Sequence, residues 1–319
     1  MPAEPLPANA ITVSVPGEEW TGLWADQEPE RKPARVLVWD LSGPPPDPAI
    51  SLVVPPYLNP VPRLPVLHEL PGLQVLQILS AGYDDVLPAL PDGVTLCNAA
   101  GVHDASTAEL ALALALASLR AIPAAVRDAQ AGQWRPGFHP ALADRRVLVV
   151  GAGGVGAAIA RRLEPFEVRL TRVASRARDD GAGHLHAAGE LPVLLPEADV
   201  VFLACPLTPA TRGLVDAAFL AAMPDRALLV NVARGPVVVT DALLAETGAG
   251  RLLAALDVTD PEPLPAGHPL WDSPGVLITP HLGGASSAFR PRARALLRAQ
   301  FERYAAGQPL RNVVAGPPR

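Results

Sequence analysis

Cysteine is scarce in this chain of 319 residues: Cys97 and Cys205 are the only two. They cannot build a disulfide framework, so a reducing compartment is the simple expectation. No His or Cys stands near either at ligand spacing, which removes a structural zinc site and with it any expected metal. The opening residues, MPAEPLPANA, lack a basic stretch followed by an apolar run, so no signal peptide is expected. Long apolar runs are missing too. The longest, Leu110 to Leu119, lies between Glu109 and Arg120 and is too short to span a bilayer. A positive charge excess is also absent: the net charge of −6 argues against nucleic acid or an anionic membrane as the partner. The expectation is a soluble, cytoplasmic protein with no internal repeat.

What is present points to order. Hydrophobic residues reach 49% and charged residues only 18%, and 319 residues are enough for two cores. Prolines (38) and glycines (26) are spread along the chain and punctuate its apolar runs. In the first third, Ile11–Val15, Arg35–Trp39, Ser51–Val54, Leu73–Leu79 and Val94–Leu96 read as short parallel strands separated by turns and helices. No glycine fingerprint marks this part.

A long helix follows. Ser106 and Glu109 have capping-box spacing, and the alternating Leu/Ala run 110–116 reads as a buried helix because both residues are strong helix formers. From Arg146 the pattern becomes βαβ, with strands at Val147–Val150, Glu167–Ala174, Asp199–Ala204, Ala227–Val232, Leu252–Asp257 and Val276–Thr279. A last helix, about Ala285–Tyr304, is expected to cross back to the first domain. The predicted class is therefore α/β, with two doubly wound parallel-sheet domains: a flavodoxin-like substrate domain (1–105 and 286–319) and a Rossmann cofactor domain (106–285).

Gly151-Ala152-Gly153-Gly154-Val155-Gly156 fits G-x-G-x-x-G, follows the strand Val147–Val150 and opens a helix. That context makes it a dinucleotide site: Gly151 for the tight turn, Gly153 for approach to the pyrophosphate, Gly156 for helix–strand packing, and Gly154 and Val155 at the helix N-terminus. The strand 167–174 ends without the carboxylate that would accept from the ribose hydroxyls of NAD. Ser175, Arg176 and Arg178 follow instead and suit the 2′-phosphate of NADP. NADP(H) is favoured, with NAD(H) as the other possibility.

Three segments lie just past strand ends: Asn231-Val232-Ala233-Arg234-Gly235, Leu256 to Pro263, and Thr279-Pro280-His281-Leu282-Gly283-Gly284. They supply an Arg, a Glu and a His at the carboxyl edge of one sheet, where open α/β proteins bind ligands. With the glycine fingerprint and Leu79-Ser80-Ala81-Gly82, the chain resembles the D-isomer-specific 2-hydroxyacid dehydrogenase family from about Ile11 to Val314. The stretch Asp257 to Pro265 is most similar to the NADP-using glyoxylate and hydroxypyruvate reductases of that family. Ala174 stands where most NAD-using members have Asp, a departure in the same direction.

The resemblance implies roles. Arg234 clamps the substrate carboxylate and polarises the keto oxygen; His281 is the general acid in reduction and the base in oxidation; Glu262 orients the imidazole. Ala81 and Gly82 offer backbone N–H groups to substrate, and Tyr57 and His103 are candidates to shape a pocket between the domains. Asp257 pairs with the nicotinamide carboxamide. Cys205, Pro206 and Thr211 line the adenosine side, and Val232, Ala233 and Gly283 flank the cofactor. The reaction implied is hydride transfer to a small 2-keto acid such as glyoxylate or hydroxypyruvate, or the reverse. The very apolar helix from Ser106 suggests a homodimer packed through it. The alternatives are a phosphite or formate dehydrogenase on the same fold, formate enzymes carrying Gln at the Glu262 position, and a non-catalytic dinucleotide sensor akin to corepressors. His184 and His186, in a Gly/Ala-rich stretch read as loop, suggest no metal.

Overall fold

Short runs of Val, Ile and Leu form β1 (Ile11–Val15), β2 (Ala34–Val38), β3 (Ile50–Val53), β4 (Val75–Gln77) and β5 (Thr95–Cys97), all parallel to one another. The computed structural model describes residues 11–28 and 32–317. It divides into two units, one made of the chain up to His103 and from Ser287 onward, the other of Asp104–Ser286. In the first unit the parallel strands take the order β5-β4-β3-β1-β2, the flavodoxin-like winding. Among the described residues no α-helix joins these strands. The connections carry 3-10 turns at Glu18–Trp20, Val61–Glu69 and Leu87–Ala89 instead of the expected helices. Proline explains the substitution: Pro62, Pro65 and Pro88 lack the N–H an α-helix would need and crowd the preceding turn, while a short 3-10 turn accommodates them.

The second unit opens with α1 (Asp104–Leu119) and α2 (Ile122–Gln130). Then come β6 (Arg146–Val150), α3 (Gly154–Leu163), β7 (Arg169–Ala174), β8 (Arg178–Asp180), β9 (Gly183–Ala187), α4 (Leu191–Leu194), β10 (Val200–Leu203), α5 (Ala217–Ala222), β11 (Leu228–Asn231), α6 (Thr240–Gly248), β12 (Leu253–Leu256) and β13 (Val276–Ile278). The sheet order β13-β12-β11-β10-β6-β7-β9-β8 winds outward in both directions from β6. The winding reverses between β6 and β10, and the carboxyl ends of the strands beside that point form a ligand crevice. This is the Rossmann plan.

Alternation along each strand feeds two cores. Val147, Val149, Phe202 and Val230 pack beneath α1 and α3, whereas Leu148, Val150, Leu203 and Leu229 meet Phe219, Leu220 and Leu243 of α5 and α6. Three expectations need correction here. The helix begins at Asp104, so Ser106 and Glu109 lie within α1 and are not its cap. His184 and His186 lie on β9, which pairs with β7 and with β8, and not in a loop. The apolarity of α1 is consumed inside the chain, because Ala108, Ala111, Leu112, Leu114, Ala115 and Leu119 are buried against the sheet and α3. Large exposed apolar side chains sit further on, at Ile122, Val126, Trp134 and Phe138.

The chain then returns as α7 (Phe289–Ala305) and β14 (Val313–Ala315), which belong to the first unit. Ala293, Leu296, Leu297 and Phe301 of α7 cover one sheet face together with Trp20 and Trp24. Burying Gln300 is tolerable because its amide donates to Gln77 Oε1 at 2.8 Å and to the Arg311 carbonyl at 3.0 Å. β14 closes the β5 edge antiparallel. No single helix among the described residues is long and apolar enough to cross a membrane.

Candidate active site

The turn after β6 is built by close backbone approach. Gly151 has φ +119°, and a Cβ there would come within 2.5 Å of the Ala204 carbonyl group, so only glycine fits. At Gly156 a Cβ would stand 1.8 Å from the Gly151 carbonyl oxygen. Gly153 is different: it is exposed, and no atom lies within 4 Å of where its Cβ would be. α3 starts immediately after it, with Gly154, Val155 and Gly156 in the first turn, whose N–H groups have no partner within the helix. β7 ends at the buried Ala174, and Ser175, Arg176 and Arg178 follow it, exposed. After β10, Cys205 is buried, and Thr211 Oγ donates to the Pro206 carbonyl at 2.6 Å and accepts from the Thr208 N–H at 2.8 Å.

The loop after β11 is shaped by Asn231, a buried residue that sequence reading passed over. Its Oδ1 accepts from the Ala233 N–H at 3.0 Å and its Nδ2 donates to the Arg234 carbonyl at 3.1 Å. An Asn two residues before a turn is a signal that could have found it. Val232 and Ala233 are buried, and the half-buried Arg234 donates from Nη1 to the Ala233 carbonyl at 2.8 Å. Gly235 lets this loop touch the next one, since a Cβ there would stand 1.8 Å from the Thr259 oxygen. Thr240 Oγ1 ties the same two loops by donating to the Asp260 carbonyl at 2.8 Å.

Asp257 holds the third loop. Its Oδ1 accepts from the Thr279 hydroxyl and the Leu282 N–H, both at 2.7 Å, and its Oδ2 accepts from the Gly283 N–H at 2.8 Å. Its carbonyl accepts from the His281 N–H at 2.9 Å. His281 has φ +54°, a conformation that carries strain in a residue with a Cβ and persists where neighbours over-determine it. The buried Asp257 does that.

His281 Nδ1 lies 2.6 Å from Glu262 Oε1, and about half of the imidazole side chain is exposed. The bond and charge of Glu262 push His281 above its ordinary pKa, with a further push from Asp257; burial and the Arg234 charge oppose this and lose. For Glu262, burial pushes the carboxyl up, but the His281 bond and charge, the Thr259 backbone and the Arg234 charge together hold it below its usual range. Arg234 thus acts on both partners, and the structure gathers Arg234, Glu262 and His281 at one sheet edge. With Nδ1 engaged, Nε2 is the free end of a proton-transfer group, and the adjacent guanidinium can bind an anion.

A family model for the D-isomer specific 2-hydroxyacid dehydrogenase NAD binding domain matches residues 112–283. A human glyoxylate reductase/hydroxypyruvate reductase is 36% identical over 233 residues, 69% of this chain and 70% of the relative. The chain belongs to the D-isomer-specific 2-hydroxyacid dehydrogenases. A Xanthobacter autotrophicus Py2 dehydrogenase of that family, solved with NADPH and MES, superposes with a TM-score of 0.80 at 30% identity, covering 96% of this chain and 98% of that one. An NADPH-dependent glyoxylate/hydroxypyruvate reductase from Sinorhizobium meliloti, solved with NADP and sulfate, gives 0.77 at 28% identity, covering 96% and 98%.

The dehydrogenase's own residues fit a dinucleotide. The open face at Gly153 and the start of α3 form a cradle, and the tight turn that shapes it needs Gly151, where a Cβ would strike the Ala204 carbonyl group. Four residues suggested for substrate, Tyr57, Ala81, Gly82 and His103, lie in the other unit. There, the Ala81 carbonyl accepts from Asn98 Nδ2 at 2.6 Å, and the Gly82 carbonyl from the Ser80 hydroxyl at 2.7 Å. Tyr57 packs on Phe289 with ring centroids 4.4 Å apart and stacks on His103 at 5.5 Å. His103 is buried, and its Nε2 lies 2.7 Å from the Leu79 carbonyl oxygen.

Proposed function

We propose that this enzyme transfers hydride between NADP(H) and a small 2-keto or 2-hydroxy acid of the size of glyoxylate or hydroxypyruvate. The observation that carries the reading is the His281–Glu262 pair with Arg234 beside it, at the carboxyl edge of the sheet that bears the glycine turn. The names of the human and S. meliloti relatives support the substrate class, and the NADPH and NADP bound to two structural relatives support the cofactor.

The nicotinamide, when bound, supplies or accepts the hydride. Arg234 pairs with the substrate carboxylate and draws charge onto the keto oxygen. His281, held protonated by Glu262, gives its Nε2 proton to that oxygen as negative charge develops, and takes a proton back in oxidation. Glu262 fixes the ring orientation and favours the imidazolium. Asp257 keeps the His281 turn in place, and spare acceptor capacity on Oδ2 leaves it able to meet a carboxamide. Gly283, Val232 and Ala233 line the cofactor side with Cys205, Pro206 and Thr211. Ser175, Arg176 and Arg178 receive the 2′-phosphate.

We also propose a homodimer, formed through the exposed apolar side chains of α2 and the segment after it. Ile122 and Val126 are about half exposed, at 49% and 51%, and Trp134 is 94% exposed, an unusual grouping for a surface left in water. A cytoplasmic site fits the two free thiols, both pushed up to about 11 by burial and so unreactive.

The test is a panel of glyoxylate, hydroxypyruvate, pyruvate, phenylpyruvate and branched 2-keto acids, followed by the absorbance of NADPH and, in parallel, NADH. Turnover of the small acids with NADPH preferred is the expected result. Replacing Arg176 and Arg178 by Ala should shrink that preference roughly tenfold or more, the loss of a charge-assisted contact. A clear NADH preference in the native enzyme would overturn the cofactor reading, and inertness toward every acid would overturn the reaction.

A further inference from the structure

The glycine turn has a neighbour that suits no anion. Asp104 is the first residue of α1, and its carboxylate lies against the first residue of α3. A Cβ placed on Gly154 would stand 2.0 Å from Asp104 Oδ2 and 2.6 Å from its Cγ, so the carboxylate fills the space of the missing side chain. Among the described residues no hydrogen bond or ion pair engages it, and the residue is only half-buried. The contact is built in: α1 and α3 pack together beneath the same sheet face, in the core that holds Ala108, Ala111, Ala158 and Ile159.

A pyrophosphate seated on this turn would bring its negative charge to the N–H groups of Gly154 and Val155, next to the Asp104 carboxylate. The helix start attracts that charge, while Asp104 repels it over a distance at which unit charges interact appreciably even through water. We propose that Asp104 sets an upper limit on how tightly this enzyme holds its dinucleotide, acting through charge on the pyrophosphate. Its effect on the adenosine end is negligible. The consequence is faster release of the spent cofactor, which favours turnover wherever release limits the rate. This inference rests on the reading of the glycine turn as the pyrophosphate seat.

Calorimetric titration of the full-length protein with NADPH and with adenosine 2′-monophosphate, which lacks a pyrophosphate, separates the cases. Asp104→Asn, of the same shape without the charge, and Asp104→Ala should both tighten NADPH roughly tenfold. Both should leave adenosine 2′-monophosphate affinity unchanged, which also shows that the variants are folded. The NADPH gap should narrow as salt rises from 0.05 to 1 M, because screening shortens the reach of the charge. Tightening by Ala alone would make the effect steric and overturn the proposal. So would weaker NADPH binding in both variants, or equal tightening of both ligands. Native protein that binds adenosine 2′-monophosphate but neither NADPH nor NADH would sink the pyrophosphate seat itself, and the proposal with it.

Discussion

The two units share a plan and differ in their connections. Each is a mainly parallel sheet wound in two directions, yet among the described residues the first joins its strands by 3-10 turns, two of them bearing proline, and the second joins most of its parallel strands by α-helices. In the second, β6 ends in a tight turn that opens directly into α3, whose first N–H groups have no partner within the helix. The same contrast holds for histidine. His103 in the first unit is buried between rings and bonded to a backbone carbonyl, while His281 stands half-exposed beside a carboxylate. A shared sheet architecture does not confer chemistry; the loops past the strand ends do.

Three measurements press on that contrast, beginning with the largest effect. His281→Ala should lower turnover by roughly 100- to 10,000-fold, the usual worth of a positioned acid, while NADPH affinity stays within a fewfold. Unchanged turnover would remove the second unit's claim to the chemistry. Next comes a pair of glycines with positive φ. Gly151→Ala must push the Ala204 carbonyl aside and should abolish measurable NADPH binding. Gly93→Ala in the first unit has open space around it and should cost only about 1 kcal/mol of stability for its φ of +76°. Similar losses of NADPH binding from both would erase the distinction between the two turns.

The smallest effect concerns pH. Glu262 raises the His281 pKa, so the imidazolium survives to higher pH than a free imidazole would allow. Glu262→Gln should move the alkaline limb of the reduction profile to lower pH, toward the unperturbed value of about 6.5. The stability contribution runs the same way. On the histidine side it is fully present below about 6.5 and is lost as pH rises through the elevated value. On the Glu262 side, where the folded pKa is depressed, it is present above about 4.3 and is lost as pH falls. With both side chains substantially exposed, the pair contributes less than about 1 kcal/mol. An alkaline limb that stays in place in the Gln variant would assign it to another group.

Much of the molecule was legible in one dimension because its signals are local. The strands around Val147–Val150 and Leu228–Asn231 read as apolar runs, and the glycine fingerprint sits directly between β6 and α3. Other parts were hidden for definite reasons. The capping-box spacing of Ser106 and Glu109 concealed the true start of α1 at Asp104. The β8–β9 hairpin looked like a loop because its residues are mostly exposed and polar, and only pairing with β7 makes it part of the sheet. Thr279 acts by bonding the Asp257 carboxylate of an adjacent loop, which no spacing rule announces.

Sequence alone determined the inventory: two α/β units, a glycine-rich turn between a strand and a helix, a strand that ends at Ala174 without a carboxylate, and an Arg, a Glu and a His placed after strands. Each of these depends on residues within one turn or one strand. Folding decided what those residues became to one another. The left-handed His281, the Asp257 clamp beneath it, the shared influence of Arg234 on both members of the ion pair, and Asp104 against the glycine turn all join segments far apart along the chain. Such contacts exist only once parallel strands bring their carboxyl ends to a common edge.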